Sequence, residues 1–555
     1  MKVFNSVSDL QAASLTAGQL TQTKRYFAGQ DGGGATYLIK TAVDYAGTPD
    51  EYGDHTLAGG TIAVLQTEGS VNVKQYGATG DGVTDDTAAI QAALDSSRSV
   101  FLPTGNYKIT STLNQTLDSQ LISGAFTSNS STTIRIFLDA SSIDDVLMNV
   151  RGPSSTLRSL IMEGKGRTAV GSYIIDADEE GFDGENNGDV DLALESVTLT
   201  SSETHIKIKG RGLTASSCNF VDFNNSIEID WPSTFVAGPN PDQKLKTGMR
   251  VYVVQNCRFH AGSGNYIMKN TGTNAANLHG VQFSNNYIDT LTSIFNGELH
   301  DSLITNNVVI HSHSTVYPLF NITAGSNFVI NNNVFYGMDD NGDGTELDLL
   351  SVMYLTSCVG CQINNNTINR VDRDVISIGA GCSNISICNN IMRNVCLSND
   401  GGTSRSPVRL GANIDKLQVK DNIIDLTELS PASWVKSEII KNTGGYTVSD
   451  HDLRGNIYDE TYWNLHNFAD TSTINIAETD RKVIRYTGDG TASQTFTCSF
   501  KPMAVMAFNT DLKEAIMVTC TSGSGASLVN IDGYDIIVGS TFNTNLQVYY
   551  LYPIQ

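Results

Sequence analysis

Asp348 and Asp372 are the two acidic residues whose spacing best suits acid–base chemistry. Each stands eighteen residues before an asparagine that follows another asparagine, Asn366 for the first and Asn390 for the second. If these asparagines mark equivalent positions of neighbouring structural repeats, the two carboxylates lie about one strand spacing (~4.8 Å) apart. Two carboxyl groups so close do not readily ionise together, so one pKa rises and the pair supplies an acid beside a base. Paired carboxyl groups of this kind hydrolyse glycosidic bonds.

Further ionisable residues fall near this pair when the extra residues of the longest repeat are placed in 338–345. The alignment puts Glu346 beside Arg370, and Glu346 is the third candidate catalytic residue. The candidate substrate-binding residues are Arg370, Asp374, His313, Asp289, Glu298 and Trp231. Trp231 would offer an aromatic ring for a sugar to stack on, although a single Trp also suits a core. The alternative interpretation of the charged residues is a solvated stripe on an acidic protein.

The elements that must position these residues are announced by a recurring asparagine marker followed by alternating apolar residues. The markers end at Asn256, Asn286, Asn307, Asn333, Asn366, Asn390 and Asn422, spaced by 30, 21, 26, 33, 24 and 32 residues. A unit of about 21 residues with variable insertions is too short for helical hairpins. It predicts a parallel β-helix whose insertions leave the coil at one fixed corner, with the asparagines forming a turn ladder.

Columns counted back from the markers test this prediction. Three residues before the last asparagine stand Ile304, Ile330, Ile363, Ile387 and Val419, and five before it Ser302, Phe328, Cys361, Ile385 and Leu417. This period of two predicts interior strand positions. Cys358 and Cys382 fall in one such column, so the Cys358-x-x-Cys361 spacing is interpreted as core cysteines and not as a zinc site.

Composition narrows the function classes. The 555 residues carry a net charge of −23, which disfavours binding to a phosphate backbone, so no nucleic-acid partner is expected. No apolar run approaches the ~20 residues of a membrane span, and the first residues lack the apolar core of a signal peptide. We therefore expect synthesis in a cytoplasm without membrane insertion.

No cofactor or metal is expected either. The segment Asp339-x-Asn341-x-Asp343-Gly344 begins like a calcium loop, but Leu350 stands where such a loop needs a bidentate Glu. The nine cysteines are an odd and small complement that favours reduced, structural thiols.

Residues 71–110 read as strand, Gly/Asp turn, capped helix and strand, with Asp85 or Asp86 capping the helix and Ile90 and Leu94 on its buried face. This segment resembles the opening motif of the pectate-lyase-like superfamily of right-handed parallel β-helices, in which it is a structural lid. The resemblance implies that Asp81, Asp85 and Asp86 are structural here. Residues 26–39 and 55–65 resemble the short β-rich segment that precedes the β-helix in bacteriophage tailspikes.

The expected fold class is therefore all-β, a right-handed parallel β-helix with a small N-terminal β-rich domain and a C-terminal β-sandwich. The predicted boundaries are 1–70 for an anchoring domain, 71–460 for the β-helix and 461–555 for a trimerisation or glycan-binding module. The marker stops near residue 460, and short strands separated by Gly, Ser and Asn turns follow it.

The resemblance to tailspikes implies a virion protein that binds and cleaves the capsular or O-antigen polysaccharide of a bacterial host. It also implies a homotrimer attached to phage baseplate or tail proteins through the N-terminus. Endo-acting hydrolysis by the paired carboxylates is the leading hypothesis. A polysaccharide lyase, with Arg370, Arg373, His313 or a Tyr as base, and a non-catalytic adhesin remain as alternatives.

Overall fold

The computed structural model describes residues 1–554 apart from several segments. The segments outside the described residues are 30–31, 126–133, 179–190, 210–211, 231–251, 262–264, 271–279, 291–292, 312–317, 338–350, 372, 397–404, 426–436, 443, 459–462, 467–483, 488–492, 498–503, 510–513, 520–528, 533–534 and 540–547. The chain forms two compact units, Met1–Asn467 and Phe468–Gln555.

The first unit begins with a five-stranded sheet. Its strands are Lys2–Phe4, Leu20–Thr23, Thr36–Lys40, His55–Thr56 and Ile62–Gln66, and its helices are Val7–Gln11 and Ala42–Tyr45. Tyr37 and Ile39 pack with Val7 and Leu10 in a small core of their own. This sheet pairs with no described strand of the following one, which starts at Val71, the first residue of the predicted β-helix domain.

The following sheet is a right-handed parallel β-helix, as predicted. Each complete coil contributes three strands, which we call A, B and C in chain order, and each strand pairs in parallel with the equivalent strand of the next coil. Two long strands, Thr198–Lys209 and Asn219–Asp230, supply both the B and the C strand of their coils.

The A strands are Val71–Asn72, Ser99–Leu102, Leu121–Gly124, Ser155–Arg158, Asp191–Glu195, Gly212–Ser216, Tyr252–Gln255, Val281–Ser284, Leu303–Thr305, Val329–Asn331, Gln362–Asn364, Ser383–Cys388, Asp415–Lys420 and His451–Asp452. The other B strands are Asp81–Asp85, Gly105–Ile109, Ile134–Leu138, Ile161–Gly166, Arg258–Ala261, Tyr287–Thr290, Val308–His311, Val334–Gly337, Thr367–Val371, Ile391–Val395, Ile423–Asp425 and Ile457–Tyr458. The other C strands are Leu113–Gln115, Val146–Val150, Tyr173–Asp178, Tyr266–Asn270, Ser293–His300, Phe320–Ser326, Met353–Leu355, Ile376–Ile378, Val408–Leu410, Ser437–Asn442 and Trp463–His466, with a short strand Cys358–Val359 beside Phe320–Ser326.

The asparagine markers form the turn between the A and B strands. The first residue of a marker adopts a left-handed conformation, as at Asn306 (φ 57°) and Asn365 (φ 57°), which asparagine tolerates better than most residues. The second is buried and accepts hydrogen bonds from the asparagine one coil earlier. In one step, the backbone N–H of Asn307 donates to Oδ1 of Asn333 over 3.0 Å. The predicted turn ladder is confirmed, and it is structural.

The core lies inside the coil, where the predicted columns are found in register. Ile304, Ile330, Ile363, Ile387 and Val419 pair in sequence and are at most 2% exposed. All seven described cysteines are unpaired and buried, so the interpretation of Cys358, Cys361 and Cys382 as core residues is confirmed.

The helix Thr87–Ser96 takes the place of a C strand in the first coil and buries Ile90 and Leu94, as predicted. It contacts the short 3-10 helix Val73–Tyr76 and the first C strand. The carboxylate of Asp86 is almost wholly buried and accepts the backbone N–H groups of Thr79 and Gly80 at 2.6 and 3.0 Å, and burial raises its pKa. Asp86 therefore staples the preceding turn, whereas Asp85 accepts the backbone N–H of Thr87 at the start of the helix.

The second unit is antiparallel. Ile484–Thr487, Ala504–Asn509, Glu514–Thr519 and Val548–Ile554 form a four-stranded sheet, and Ser493–Thr497, Val529–Asp532 and Asp535–Gly539 form a three-stranded sheet. Two antiparallel sheets are the composition of the β-sandwich predicted for this part of the chain.

Candidate functional site

One corner of the β-helix collects the variation in coil length. From Tyr287 onward, the chain from an A strand to the next B strand is a short asparagine turn. The chain from a B strand to the next C strand ranges from the two residues 291–292 to the fifteen residues 338–352. We call this B-to-C junction the variable corner. The prediction that insertions leave the coil at one fixed corner is confirmed in this part of the β-helix.

The predicted catalytic residues belong to the variable corner but lie outside the described residues. Glu346 and Asp348 fall in 338–350, Asp372 stands alone between described neighbours, and His313 falls in 312–317. Trp231 is also outside the described part of the chain. Their roles remain predictions.

The described strands around them show how well the alignment holds. The spacing of 24 residues used to pair Asp348 with Asp372 is the observed register of the A strands, where Ile363 pairs with Ile387, and of the B strands, where Thr367 pairs with Ile391. In the C strands the register is 23, because Met353 pairs with Ile376. The change of one residue occurs across the corner that contains Asp372.

Arg370 and Asp374, two predicted substrate-binding residues, flank that position. Arg370 is held in a left-handed conformation (φ 59°) at the end of its B strand, and so is Asn394 one coil later (φ 49°). Such dihedrals cost energy in residues other than glycine and are typical of functional or tightly constrained positions. The corner therefore begins with a strained backbone in two successive coils.

Asp374 is 4% exposed, and its oxygens contact protein groups. One oxygen accepts the backbone N–H of Ser406 over 2.8 Å, and the other lies 3.0 Å from Nη1 of Arg409 and 3.9 Å from Nη1 of Arg405. A buried carboxylate with these partners orients arginine side chains. The side chain of Arg409 is 37% exposed and lies on the outer surface of its C strand.

Asp289 and Glu298, the other two predicted substrate-binding residues, each lie beside a histidine. Oδ2 of Asp289 is 3.3 Å from Nδ1 of His260, which occupies the equivalent outer position of the preceding B strand. Oε2 of Glu298 is 3.8 Å from Nε2 of His300 on the same strand. These two carboxylates are far apart along the sequence of coils from Asp374, so the structure does not gather the predicted residues into one cluster.

The C strands carry an uninterrupted outer row of polar side chains beside the variable corner. The row, one residue per coil and all in register, is Lys269, Asn296, Asn321, Tyr354, Ser377, Arg409 and Lys441. Nδ2 of Asn321 donates to Oδ1 of Asn296 over 2.8 Å, and Tyr354 is 44% exposed. Amide, hydroxyl and guanidinium groups at intervals of ~4.8 Å, with one exposed aromatic ring, can hydrogen-bond and stack against a regular polymer.

Sequence reasoning missed four residues of this surface, namely His260, Tyr354, Arg405 and Arg409. The signal was available for Tyr354 and Arg409, because extending the register from the markers into the C strands places both in the outer row. The search followed carboxylates and therefore passed over aromatic and cationic side chains.

Among the described residues, no group of three or more His, Cys, Asp or Glu side chains is arranged to hold a metal ion. The calcium-like segment 339–344 lies outside them. No described helix has the length and apolar character needed to cross a membrane.

Comparison with known proteins gives a local match in sequence and a broad match in fold. A 43-residue stretch is 56% identical to the mannuronan C5-epimerase AlgE1 of Azotobacter vinelandii, covering 7% of this chain and only 3% of that protein. The enzymatically active domain of tailspike protein 2 from bacteriophage CBA120 is 13% identical with a TM-score of 0.46, covering 91% of this chain and 71% of that one. A PL6 alginate lyase solved with a trisaccharide is 12% identical with a TM-score of 0.48, covering 72% of this chain and 88% of that one.

A family model gives the most specific assignment. The model described as "Rhamnogalacturonase A/epimerase, pectate lyase-like" matches residues 70–135, the segment with the lid helix and the first coils. In this segment the chain is pectate-lyase-like, in agreement with the resemblance found in the sequence, and the segment opens a right-handed parallel β-helix.

Proposed function

We propose that this protein is a bacteriophage tailspike that binds and cleaves a bacterial surface polysaccharide, capsule or O-antigen. The observation that carries the proposal is the outer row of polar side chains in register along the variable corner. A row of equivalent positions repeated once per coil matches a ligand that itself repeats, and a rigid solenoid holds these positions without an ordering cost at binding.

The reaction that the residues favour is endo-acting hydrolysis at the variable corner. Asp348 and Asp372 serve as the acid and base, and Glu346 assists them as the third carboxylate. A glycosidase with its two carboxyl groups about 5–5.5 Å apart retains the anomeric configuration, and one with about 6.5–9.5 Å inverts it. The strained Arg370 and the oriented arginines beside Asp374 fit this position, because they supply cationic hydrogen-bond donors next to the reacting sugar.

A polysaccharide lyase is the second candidate, and the arginines favour it. Arg405 and Arg409 are held by the buried Asp374, and Arg409 reaches the outer surface. Guanidinium groups bind carboxylates well, so this end of the surface suits a polymer that contains uronic acid. A lyase would use His313, Arg370 or Arg373 as the base that removes a proton next to the uronate carboxyl group.

A side-by-side homotrimer is part of the same proposal. The outer row of the B strands is apolar over many coils and includes Val308, Val334, Ile391, Ile423 and Ile457 in register. Val308 and Val334 are each 38% exposed and Ile423 39%. A continuous apolar row of this length favours association, and three copies packed side by side would cover it. The N-terminal sheet then attaches the trimer to tail or baseplate proteins of the virion.

The proposal is tested by incubating the full-length protein with capsule and O-antigen from a panel of candidate hosts. New reducing ends and the ultraviolet absorbance of unsaturated uronates are followed together. Reducing ends without absorbance identify a hydrolase, whereas a rise of both identifies a lyase. A polysaccharide that binds but is never shortened would contradict both enzymes and identify an adhesin.

A further inference from the structure

The strongest feature outside the predicted catalytic segments is a cleft at the N-terminal end of the variable corner. Its volume is about 540 Å³, and its lining residues are Gly166, Arg167, Thr168, Val221, Asp222 and His260. This size falls in the ordinary range of small-ligand sites, ~300–1,000 Å³. None of the predicted catalytic residues lines it.

One wall of the cleft is a loop that is tied to two coils below it. The loop runs from Gly166 to Gly171, which are both left-handed (φ 106° and 82°), so glycine permits the turns at its two ends. The carbonyl oxygen of Arg167 accepts Nδ2 of Asn224 over 3.0 Å, and the backbone N–H of Gly171 donates to the carboxylate of Glu203. The wall is therefore fixed before any ligand arrives.

The polar groups of the cleft are charged pairs whose members stay partly exposed. Nε of Arg167 lies 3.7 Å from Oδ1 of Asp222, and the two side chains are 34% and 47% exposed. Ser201 Oγ donates to the other oxygen of Asp222 over 3.2 Å and fixes its orientation. On the opposite side, His260 (52% exposed) is oriented by Asp289 at 3.3 Å.

The chemistry of this lining suits a sugar better than an anion or a cation. Each cationic donor is already balanced by a carboxylate, so a free phosphate or sulfate would gain little electrostatic attraction. A carboxylate beside a guanidinium instead offers acceptor and donor together, which matches vicinal hydroxyl groups. Val221 supplies an apolar surface between the two pairs, suited to the C–H face of a pyranose.

The position of the cleft relates it to the proposed catalytic segments. The B strand of His260 is three coil steps from the B strand Val334–Gly337, after which the segment with Asp348 begins. At a strand spacing of ~4.8 Å, three steps are ~14 Å along the axis, the span of a short oligosaccharide. Both places lie on the same corner, so one extended glycan can reach both.

We propose that the cleft formed by Arg167, Thr168, Asp222 and His260 is a pre-formed saccharide subsite, separate from the catalytic segments, that holds one sugar unit through vicinal hydroxyl groups. This inference rests on the proposed glycan-processing function only for the identity of the natural polymer. The cleft itself is tested without cleavage.

The test uses the full chain and defined probes, the methyl pyranosides of glucose, galactose, mannose and rhamnose and sodium glucuronate, at millimolar concentration in saturation-transfer NMR. At least one probe is expected to receive saturation from the protein. Asp222→Asn and His260→Asn should each weaken that binding about tenfold, the equivalent of one lost charged hydrogen bond or 1.4 kcal/mol. Arg393→Gln, an outer B-strand residue several coils away, is the matched control and should leave binding unchanged.

Three results would overturn the proposal. These are no transfer to any probe, transfer that the two cleft variants leave unchanged, and displacement of a bound pyranoside by inorganic phosphate, which would identify an anion site. Melting temperatures of the variants exclude misfolding as the cause of lost binding. Failure of the proposed depolymerase would instead appear as absent reducing ends and absorbance in the polysaccharide assay, so the two outcomes are distinguishable.

Discussion

Asn333 and Asn366, 33 residues apart in sequence, are joined by two hydrogen bonds inside the coil. Both the backbone N–H and Nδ2 of Asn333 donate to Oδ1 of Asn366 at 3.0 Å, and the same pattern continues from Asn366 to Asn390. Each amide group thus satisfies buried donors of one coil and an acceptor of another. The ladder fixes the A-to-B turn and leaves the opposite, variable corner as the place for functional insertions.

Removing one member of the ladder should be costly. Asn366→Ala leaves the backbone N–H and Nδ2 of Asn333 and the carbonyl oxygen of Ile330 without their partner. Because buried unpaired polar groups cost about 1–3 kcal/mol each, we expect the free energy of unfolding to fall by about 3 kcal/mol or more. Urea unfolding measures this loss. Gln362→Ala, on the exposed face of the adjacent A strand, should change it by less than about 0.5 kcal/mol.

Asp348→Asn and Asp372→Asn test the catalytic proposal. Loss of either carboxyl group should lower kcat for depolymerisation by roughly 10²–10⁴-fold, because general acid–base groups contribute about that much. Binding of the intact polysaccharide should be retained, since neither change removes the outer row of the C strands. Asp425→Asn, on an outer B-strand position, is the control. Unchanged turnover in both aspartate variants would show that the acid and base lie elsewhere.

The apolar row of the B strands predicts the oligomeric state. Val334→Lys places a charge in the row and should convert the trimer into monomers at micromolar concentration, as measured by light scattering after gel filtration. Leu303→Lys is the matched control, because Leu303 is similarly exposed (40% against 38% for Val334) but lies on an A strand. Dissociation caused by the Leu303 variant alone would place the interface on the A strands.

The contacts of Asp374 predict an energetic coupling with Arg409. Asp374→Asn leaves two arginines without their carboxylate and should lower the free energy of unfolding by about 2 kcal/mol. Once Arg409→Gln is present, the same change should cost about 1 kcal/mol less, because part of the interaction is already gone. A double-mutant cycle by urea unfolding gives the coupling. Additive effects would mean that the 3.0 Å contact contributes nothing.

His205 predicts a pH dependence of stability. Its side chain is buried against Phe220 and Phe223, its Nε2 lies 3.1 Å from the carbonyl oxygen of Val221, and burial lowers its pKa to about 3. The unfolded chain, with a pKa near 6.5, binds the proton more readily than the folded chain. Its contribution is therefore fully present above pH ~6.5 and is lost as the pH falls from there toward about 3, by ~1.4 kcal/mol per unit.

Replacing this histidine removes the pH effect. His205→Phe should lower stability at neutral pH, because the carbonyl oxygen of Val221 loses a partner, and it should flatten the decline between pH 6.5 and 4. His260→Asn, a change at a half-exposed histidine, should retain the wild-type decline. Equal slopes for wild type and His205→Phe would contradict the assignment.

The sequence by itself determined the β-helix, its interior columns and its lid. A period-two pattern anchored by asparagines is sufficient for this, because parallel strands in register place every coil's residues at fixed offsets from the marker. Thus Ile330 over Ile363 and the burial of Cys358 could be predicted by counting. The same counting would have reached Tyr354 and Arg409 had it included aromatic and cationic side chains.

Only the tertiary structure decided what counting across the variable corner could not. The register changes from 24 to 23 residues between the B and C strands, and a shift of one residue exchanges inner and outer faces of a strand. The pairing of Asp374 with Arg409, 35 residues away, and the cleft that joins Arg167 to His260 follow from insertions whose lengths carry no periodic signal. Local alternation encodes the coil, whereas contacts between insertions of different coils depend on the path that the chain takes between them.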